Sequence, residues 1–584
     1  MRRTIFIIIL VVFVAYFNSR SNAFVGDDNY VVVRNSFISS WKNFPSLFTK
    51  NYLSDPDTII FDSYHRTDYG SSEITYRPVV TLSYMVDYAL WRLYSPGFHL
   101  TSILLHTLNA ILLYLFVLTI LKNHSLALFS SLFFAVHPIN TEAVNYISAR
   151  EELLVVFFLL SAFMLYVYHK RYDGPKRIIC YLGSCFSFCL ALFSKEMAIT
   201  FPILIMLYDF YFEFNASIKE MISKMKYRYL GYIAVAVFYL IVYFFVFSPR
   251  LNLDMVYAGG SIHTHLFTSL KILARYVTAF FIPFNISIVP SFYAPVAKTF
   301  NYEVLLSAVI LALLAIMALR IYRYSKLASF GIMWFFITIL PVSNLIIHLV
   351  NMFSFRYMYL PAVGLCLALS AGCVSLANAK FIKSRAPNSD KIILIAVTGI
   401  FLTGTLPQNL FWKSEYSFGK NQIMYYPGVP EPYQALSKYY FEQGDYGKSI
   451  AASKVYLKYF PDSSLSYNDI GVCCLYLGRL DEAVSQFKNA IKFRPNFTDA
   501  HYNLGIIYLN KNEFYKAIDC FNRAIALDPN YADAYNNLAV AYLKLGKYKE
   551  GRKFLVKTLE LCPNHELATG NLKSLEESKE EEKK

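Results

Sequence analysis

Two adjacent carboxylates, Asp27 and Asp28, follow the first apolar stretch of the chain and are its first candidates for chemistry. An ionised carboxylate at the edge of a low-dielectric region can act as a general base. A neighbouring carboxylate raises its affinity for the proton. The alternative is a helix N-cap or a solvated turn, which the spacing alone favours.

Four basic side chains form a second candidate group: Arg77, Arg150, Lys195 and Arg356. Guanidinium forks and a lysine point charge are suited to binding the phosphate of a lipid. The alternative is that each cation pairs with a nearby carboxylate, as Lys195 would with Glu196 and Arg150 with Glu151. The sequence leaves these two interpretations equal.

Two of the histidines between Arg77 and Arg150 in the sequence are a further pair of candidates. His99 and His106 are two helical turns apart and share one helix face. Paired imidazoles can bind a metal ion, but a third ligand at suitable spacing is missing from the sequence, so we expect hydrogen bonds within a helix bundle. The sequence contains neither a glycine-rich phosphate loop nor a metalloprotease motif.

Long apolar runs must position these side chains. The 584 residues are 56% hydrophobic and 16% charged, with a mean hydropathy of +0.37, which excludes a wholly soluble or disordered protein. About eleven runs approach the length that crosses a bilayer: 4–22, 98–121, 125–138, 151–168, 178–194, 197–213, 229–247, 303–319, 329–348, 357–378 and 392–410. The first run also resembles a signal peptide, but we expect it to be retained as a helix.

Basic residues predict the orientation, because Lys and Arg accumulate on the cytoplasmic side. The basic clusters at 2–3, 170–177, 219–228, 320–326 and 380–391 share one side if the run 271–289 does not cross. We therefore predict that this run is re-entrant or interfacial, that the segment 23–97 is external and that the C-terminus is external. Most of the net charge of +15 is then a topology signal, and nucleic acid is not an expected partner.

A 34-residue repeat begins near residue 430. Its register is marked by four prolines, at Pro461, Pro495, Pro529 and Pro563. This is the tetratricopeptide pattern of paired helices. The predicted units are 430–463, 464–497, 498–531 and 532–565, with a capping helix to 576, a linker at 413–429 and a charged tail at 577–584. Such repeats present a concave surface to an extended peptide or a protein.

Several of these stretches, in this order, resemble the transmembrane and tetratricopeptide-repeat O-mannosyltransferases and bacterial or archaeal proteins of the same architecture. The matching stretches are Asp27-Asp28, Tyr76-Arg77-Pro78, Phe98-His99 with His106, Phe134 to Val144, Arg150, Ser194-Lys195-Glu196 and Arg356 to Pro361. The resemblance covers nearly the whole chain, although four repeats are fewer than in many of the eukaryotic members.

The resemblance implies a mainly α protein in which residues 1–412 form a polytopic membrane domain of the GT-C glycosyltransferase fold. It implies transfer of a sugar, most simply mannose, from a polyprenyl-phosphate donor to Ser or Thr hydroxyls of proteins on the extracytoplasmic or lumenal side. Asp27 or Asp28 would be the base, and the four cations would bind the donor phosphate. The supporting residues would be His99, His106, His137, Glu142 and Glu196.

The expected partners are the lipid-linked sugar as co-substrate and an acceptor protein or peptide at the repeats. No cofactor is firmly predicted, and a divalent metal ion is compatible with the reaction but not required. The expected location is the plasma membrane of a prokaryote or the endoplasmic reticulum of a eukaryote. Two alternatives stay open: a non-catalytic membrane-anchored repeat scaffold, and a GT-C enzyme acting on lipid or glycan acceptors.

Overall fold

A computed structural model describes residues 1–48, 77–214, 228–247, 260–284, 286–289, 296–346, 349 and 351–581. These residues form helices and connecting turns without a β-strand among them, which confirms the mainly α class. Tyr76 and residues 49–75 of the predicted external segment lie outside the described residues, as do the last three residues of the charged tail. The chain divides into two compact units, Met1–Tyr425 and Tyr426–Lys584.

The first unit consists of sixteen α-helices within its described residues. They are α1 Arg2–Tyr16, α2 Pro78–Trp91, α3 Ser95–Leu121, α4 His124–Val136, α5 Thr141–Asn145, α6 Arg150–His169, α7 Gly174–Leu192, α8 Phe201–Tyr208, α9 Leu230–Phe247, α10 Ile262–Phe281, α11 Tyr302–Ile321, α12 Lys326–Ile339, α13 Tyr359–Ala377, α14 Lys380–Arg385, α15 Ser389–Asn409 and α16 Glu415–Tyr425.

Seven segments of the described residues are long and apolar enough to cross a membrane. They are Arg2–Ser21, Ser95–Leu121, Ile147–His169, Gly174–Leu192, Tyr302–Ile321, Phe355–Ala377 and Ser389–Trp412, and three shorter apolar helices accompany them. A polytopic helical membrane domain is therefore confirmed, whereas the count of about eleven crossings stays a prediction. The run 271–289 belongs mostly to α10, which is not among the seven, and its re-entrant or interfacial placement also stays a prediction.

Small residues and hydroxyl groups hold the central helices together. A Cβ on Gly364 of α13 would lie 2.3 Å from the carbonyl oxygen of Gly331 of α12, so only glycine permits this approach. The Ser130 hydroxyl of α4 hydrogen-bonds to that of Ser370 of α13 at 2.7 Å. In lipid, the hydrophobic effect does not drive helices together. Close backbone packing and interhelical hydrogen bonds stabilise their association instead.

The segment between α4 and α6 contains the short helix α5 and is buried almost throughout. Two side-chain hydrogen bonds attach it to α15: Thr141 Oγ1 donates to Gln408 Oε1, and Asn145 Nδ2 donates to Asn409 Oδ1, both at 2.8 Å. These contacts fix the backbone that carries Glu142.

The second unit is a solenoid of helix pairs with a final single helix. Its helices are α17 Glu431–Glu442, α18 Tyr446–Tyr459, α19 Ser464–Tyr476, α20 Leu480–Phe493, α21 Thr498–Asn510, α22 Phe514–Leu527, α23 Ala532–Lys544, α24 Tyr548–Leu561 and α25 Glu566–Glu581. The turns within the pairs contain the positive-φ residues Gly444, Gly478, Asn512 and Gly546. Their 34-residue spacing is the register predicted from the sequence.

Candidate active site

The loop after α1 turns sharply at Gly26. Its φ of +55° lies in the left-handed region, and a Cβ there would meet the Tyr146 hydroxyl at 3.0 Å, so both backbone and space favour glycine. The Gly26 N–H donates to Glu415 Oε2 at 3.1 Å, and the Asp27 N–H donates to the Tyr146 hydroxyl at 2.8 Å. The loop is therefore anchored at two points beside the carboxylate pair.

Asp28 is fully buried and satisfied by hydrogen bonds. Its Oδ1 accepts from both the backbone N–H and the hydroxyl of Ser148 at 2.7 Å, and its Oδ2 accepts from the Val25 N–H at 3.3 Å. Burial raises the pKa of Asp28 to about 7, although the bonds from Ser148 oppose that shift. Asp28 thus ties the loop to the start of α6.

Asp27 is exposed, in contrast to its neighbour. Within the described ranges, its carboxylate engages in neither a hydrogen bond nor an ion pair. An accessible carboxylate without a partner can accept a proton from a bound hydroxyl, whereas Asp28 would first have to give up its bonds to Ser148. The structure therefore distinguishes the surroundings of the two carboxylates, and which of them acts as a base stays a prediction.

Glu151 joins two of the predicted cations. Arg77 pairs through Nη1 with Glu151 and through Nη2 with Glu196 Oε1, the latter at 3.1 Å. Lys195 Nζ lies 3.1 Å from Glu151 Oε1 and also pairs with Glu152. Burial disfavours the charge on Lys195, but Glu152 and Glu151 overcome this and raise the pKa of the lysine. Arg77 and Lys195 therefore belong to one buried ionic cluster.

Arg356 connects this cluster to the carboxylate loop. Its guanidinium carbon lies 5.8 Å from the ring centre of Tyr146 and 5.7 Å from that of Tyr357. Lys195 Nζ lies 4.8 Å from the same Tyr357 ring. Because the Tyr146 hydroxyl also accepts a hydrogen bond from the Asp27 backbone N–H, a series of contacts runs from the backbone of Asp27 to the cations.

Glu142 lies against Arg356 on this path. It accepts a hydrogen bond from the hydroxyl of Ser354 and interacts electrostatically with Arg356. Burial raises the pKa of Glu142, and the guanidinium of Arg356 only partly offsets this. The carboxyl of Glu142 thus contacts the segment from Ser354 to Arg356, and its supporting role in the site stays a prediction.

The cluster has no surplus of positive charge within the described residues. Its three cations face four carboxylates: Glu142, Glu151, Glu152 and Glu196. Any anion that binds these cations would have to displace a carboxylate from one of them. Glu196 is the easiest to displace, because its side chain is 44% exposed and lies at the edge of the cluster.

The structure does not bring Arg150 to this cluster. Its side chain is fully buried, with Nη1 2.6 Å from Asp87 Oδ2, and Nη2 donates to the Phe98 carbonyl at 3.0 Å. The pairing with Glu151 considered from the sequence is not formed, nor is a Lys195–Glu196 pair at ion-pair distance among the described residues. The geometry therefore pairs Arg150 with Asp87 and the Phe98 carbonyl, and its contact with a donor phosphate stays a prediction.

The three histidines predicted to support the site are buried; they are His99, His106 and His137. His106 contacts the Tyr359 hydroxyl through Nδ1 at 2.7 Å and the Ala135 carbonyl through Nε2 at 2.9 Å. His137 Nε2 donates to the Phe280 carbonyl at 2.9 Å, and its ring stacks on that of Phe280. His99 lies near Arg150. The described residues contain no group of three His, Cys, Asp or Glu side chains placed to hold a metal ion.

Four side chains of the site were not singled out from the sequence: Tyr146, Ser148, Glu152 and Ser354. A signal was available for Glu152, because two adjacent carboxylates at the start of an apolar helix are costly unless each has a partner. Tyr146, Ser148 and Ser354 gave no such signal, since an isolated tyrosine or serine is common in any membrane helix bundle.

Three family models match the second unit. They are a tetratricopeptide repeat at 498–531, a TPR repeat at 474–512 and a tetratricopeptide repeat at 520–553. Among solved structures, a crystal structure of MamA is 26% identical, covers 24% of this chain and 84% of its own, and has a TM-score of 0.24. The crystal structure of YrrB is 18% identical over 32% of this chain and 97% of its own, with a TM-score of 0.25.

Curated relatives carry the name protein O-mannosyl-transferase. F38B6.6 of Caenorhabditis elegans is 24% identical over 464 residues, which is 78% of this chain and 62% of that protein. TMTC3 of Homo sapiens is 29% identical over 34% of this chain and 20% of its own length. TMTC1 of Homo sapiens is 22% identical over 78% of this chain and 55% of its own length. These matches confirm the resemblance predicted from the sequence, and the aligned part covers less than two thirds of each of these relatives.

Proposed function

We propose that this chain is a membrane glycosyltransferase that transfers a sugar, mannose by the names of its relatives, from a polyprenyl-phosphate donor to Ser or Thr hydroxyls of proteins. The single observation that carries the proposal is the continuous contact path from the exposed Asp27 through Tyr146 and Arg356 to Lys195. A base at one end and phosphate-binding cations at the other are the two components that such a transfer needs.

In the proposed reaction, Asp27 removes the proton of the acceptor hydroxyl as its oxygen attacks the anomeric carbon. The bond from that carbon to the phosphate oxygen breaks, and the lipid phosphate leaves with the electron pair. Arg77, Lys195 and Arg356 stabilise its charge, so a separate general acid is not required. Direct displacement inverts the anomeric centre.

The donor phosphate would take the place of Glu196 on the guanidinium of Arg77. That exchange replaces one anion by another of matching fork geometry, so the buried cations keep their neutralisation. The carboxyl of Glu142 would hold Arg356 in position beside Tyr146 throughout. Arg150 is left out of the phosphate site because Asp87 and the Phe98 carbonyl occupy it.

The test is sugar transfer from dolichyl- or undecaprenyl-phosphate mannose to a Ser/Thr peptide by the purified chain. Asp27→Asn should lower kcat by about 10²–10⁴, the contribution of a general base. The matched control is Asp173→Asn, an exposed aspartate in the turn before α7, which should leave kcat unchanged. Asp28→Asn should retain a tenth or more of the activity, because Asp28 positions the loop without meeting the acceptor.

Full activity of the Asp27→Asn protein would defeat the base assignment. Absence of transfer by the unaltered chain from both donors would favour the membrane scaffold. A chain that ends before residue 430 separates the acceptor classes, because transfer to a lipid or glycan should survive the deletion and transfer to a protein should not.

The proposal requires the Asp27 loop and the repeats to face the same extracytoplasmic or lumenal water. Single cysteines placed at Asp27 and at Tyr515, both exposed, should react with a membrane-impermeant maleimide in right-side-out vesicles or, for a reticular protein, only after the lumen is opened. Labelling of either site exclusively from the cytosol would remove the basis of the proposal.

A further inference from the structure

The solenoid has a cleft on its outer side, separate from the concave inner surface expected of such repeats. The first helix of each pair contacts the first helix of the next pair, as α19 does with α21 and α21 with α23. These first helices therefore line the inner, concave side of the solenoid. The cleft lies between the second helices α20 and α22, with α21 as its floor, and encloses about 520 Å³. Ligand pockets commonly enclose about 300–1,000 Å³, so the cleft can hold several residues of a peptide.

The cleft is open at a position that an aromatic ring fills in the following repeat. Cys520 of α22 corresponds, one 34-residue period later, to Phe554. The Phe554 ring stacks on Tyr542 with centroids 5.5 Å apart, and Tyr542 is the counterpart of Tyr508 in the cleft. With a thiol in place of that phenyl ring, space remains beside Tyr508 for an apolar side chain of a partner. The Lys516 ammonium, 5.4 Å from the centre of the Tyr508 ring, borders this space.

The charges around the cleft differ from those of the two neighbouring repeats. Lys488, Lys516 and Arg523 surround it, against one carboxylate, that of Asp519. At the position of Lys516, both neighbouring repeats have a glutamate, Glu482 and Glu550.

Part of this positive charge is not neutralised by the protein. Lys488 and Arg523 are exposed, and neither forms a hydrogen bond or an ion pair with another residue of the described ranges. Lys516 Nζ lies 2.5 Å from Glu513 Oε2. Tyr515 at the rim is 70% exposed.

We propose that the cleft between α20 and α22 binds an acidic, extended protein segment that inserts one apolar side chain beside Tyr508 and Cys520. The carboxylates of the segment pair with Lys488, Lys516 and Arg523, which fix its position, and burial of the apolar side chain supplies affinity. The proposal concerns the outer side of the solenoid and does not depend on the sugar-transfer reaction.

The probe is a fluorescein-labelled peptide with a central leucine flanked by glutamates, and its counterpart has glutamines instead. Binding to the full chain in detergent is measured by fluorescence anisotropy. The neutral counterpart should bind at least tenfold more weakly, and raising the salt from about 0.05 to 0.5 M should weaken the acidic peptide about fivefold or more, because exposed charges are screened.

Two variants copy residues that neighbouring repeats already contain. Cys520→Phe fills the cleft as Phe554 does one repeat later, and Lys516→Glu gives the charge of Glu482 and Glu550. Each should weaken binding about tenfold or more without lowering the melting temperature. Lys549→Glu is the control, because this exposed lysine of α24 lies outside the cleft, and it should bind the peptide like the unaltered chain.

Absence of binding by the unaltered chain at about 1 mM peptide would overturn the proposal. Equal binding of the glutamine peptide, or unchanged binding by both cleft variants, would do the same. An equal loss in Lys549→Glu would indicate diffuse attraction to a basic surface and would also overturn it. Binding to phosphatidylserine vesicles that Cys520→Phe leaves unchanged, with no peptide binding, would assign the charges to a membrane surface instead.

Discussion

Replacement of Arg150 by methionine tests whether this arginine is structural or binds a ligand. Its guanidinium lies 2.6 Å from Asp87, and the two side chains are 0% and 2% exposed. In the Arg150→Met protein, Asp87 keeps its hydrogen bond from the Thr101 hydroxyl at 2.8 Å but loses its counter-charge. A buried carboxylate is then left without a cation.

The expected cost follows from that burial. Breaking a buried ion pair by removal of one partner typically destabilises a protein by about 3–5 kcal/mol, because the remaining charge stays desolvated. Arg150→Met combined with Asp87→Asn removes both charges and keeps an acceptor for Thr101. The double variant should recover most of the loss and retain a deficit of about 1 kcal/mol for the hydrogen bond to the Phe98 carbonyl.

The assay combines a thermal unfolding curve in detergent with the KM for the lipid-linked sugar. Arg150→Met should lower the apparent melting temperature by roughly 5 °C or more, and the double variant should restore most of it. The KM of the folded fraction should stay unchanged in both. Arg92→Met is the control, because Arg92 is an exposed arginine at the end of α2 and should change stability by less than about 0.5 kcal/mol.

A different pattern would refute the structural role. If Arg150 binds the donor phosphate, KM should rise by a similar factor in the single and the double variants, and the melting temperature should change little. Rescue of stability by the second substitution is the result that a phosphate ligand cannot produce.

Two further predictions concern local features. Because burial raises the pKa of Asp28 from 3.8 to about 7, its proton is retained in the folded state but lost from the unfolded state between these values. Stability should therefore fall as the pH rises from about 4 to about 7, by up to about 4 kcal/mol, and pH-dependent unfolding curves of Asp28→Asn should lack this component. A Cβ on Gly505 would lie 2.6 Å from the Phe521 ring, so Gly505→Ala should destabilise the repeats by about 1–3 kcal/mol in chemical unfolding. The same change at Gly570, where a Cβ meets nothing within 4 Å, should be neutral or slightly stabilising; equal effects at both glycines would contradict the packing argument.

The helical architecture could be predicted from the sequence because its signals are local. Apolar runs long enough to cross a bilayer predict helices directly, since a lipid-exposed backbone must satisfy its hydrogen bonds within the segment. The prolines from Pro461 to Pro563 predicted the paired helices in the same way, because each repeat packs only against its neighbours.

The resemblance also indicated most of the candidate site. It points to the stretches with Asp27, Arg77, Lys195 and Arg356, and in the structure these residues lie along one series of contacts. The partners of each charge were less predictable. Proximity along the sequence suggests Glu196 as the partner of Lys195. The structure instead pairs Lys195 with Glu151 and Glu152 of α6.

By itself, the sequence determined where helices form, where the repeats begin and which polar residues are too costly to be accidental in an apolar chain. Only the tertiary structure decided that Asp27 is exposed and its neighbour Asp28 is buried. Asp28 is buried and accepts two hydrogen bonds from Ser148, 120 residues away, and Arg150 is neutralised by Asp87 on another helix. Burial and charge pairing depend on atoms that meet in space, and in a helix bundle those atoms come from residues that are distant along the chain.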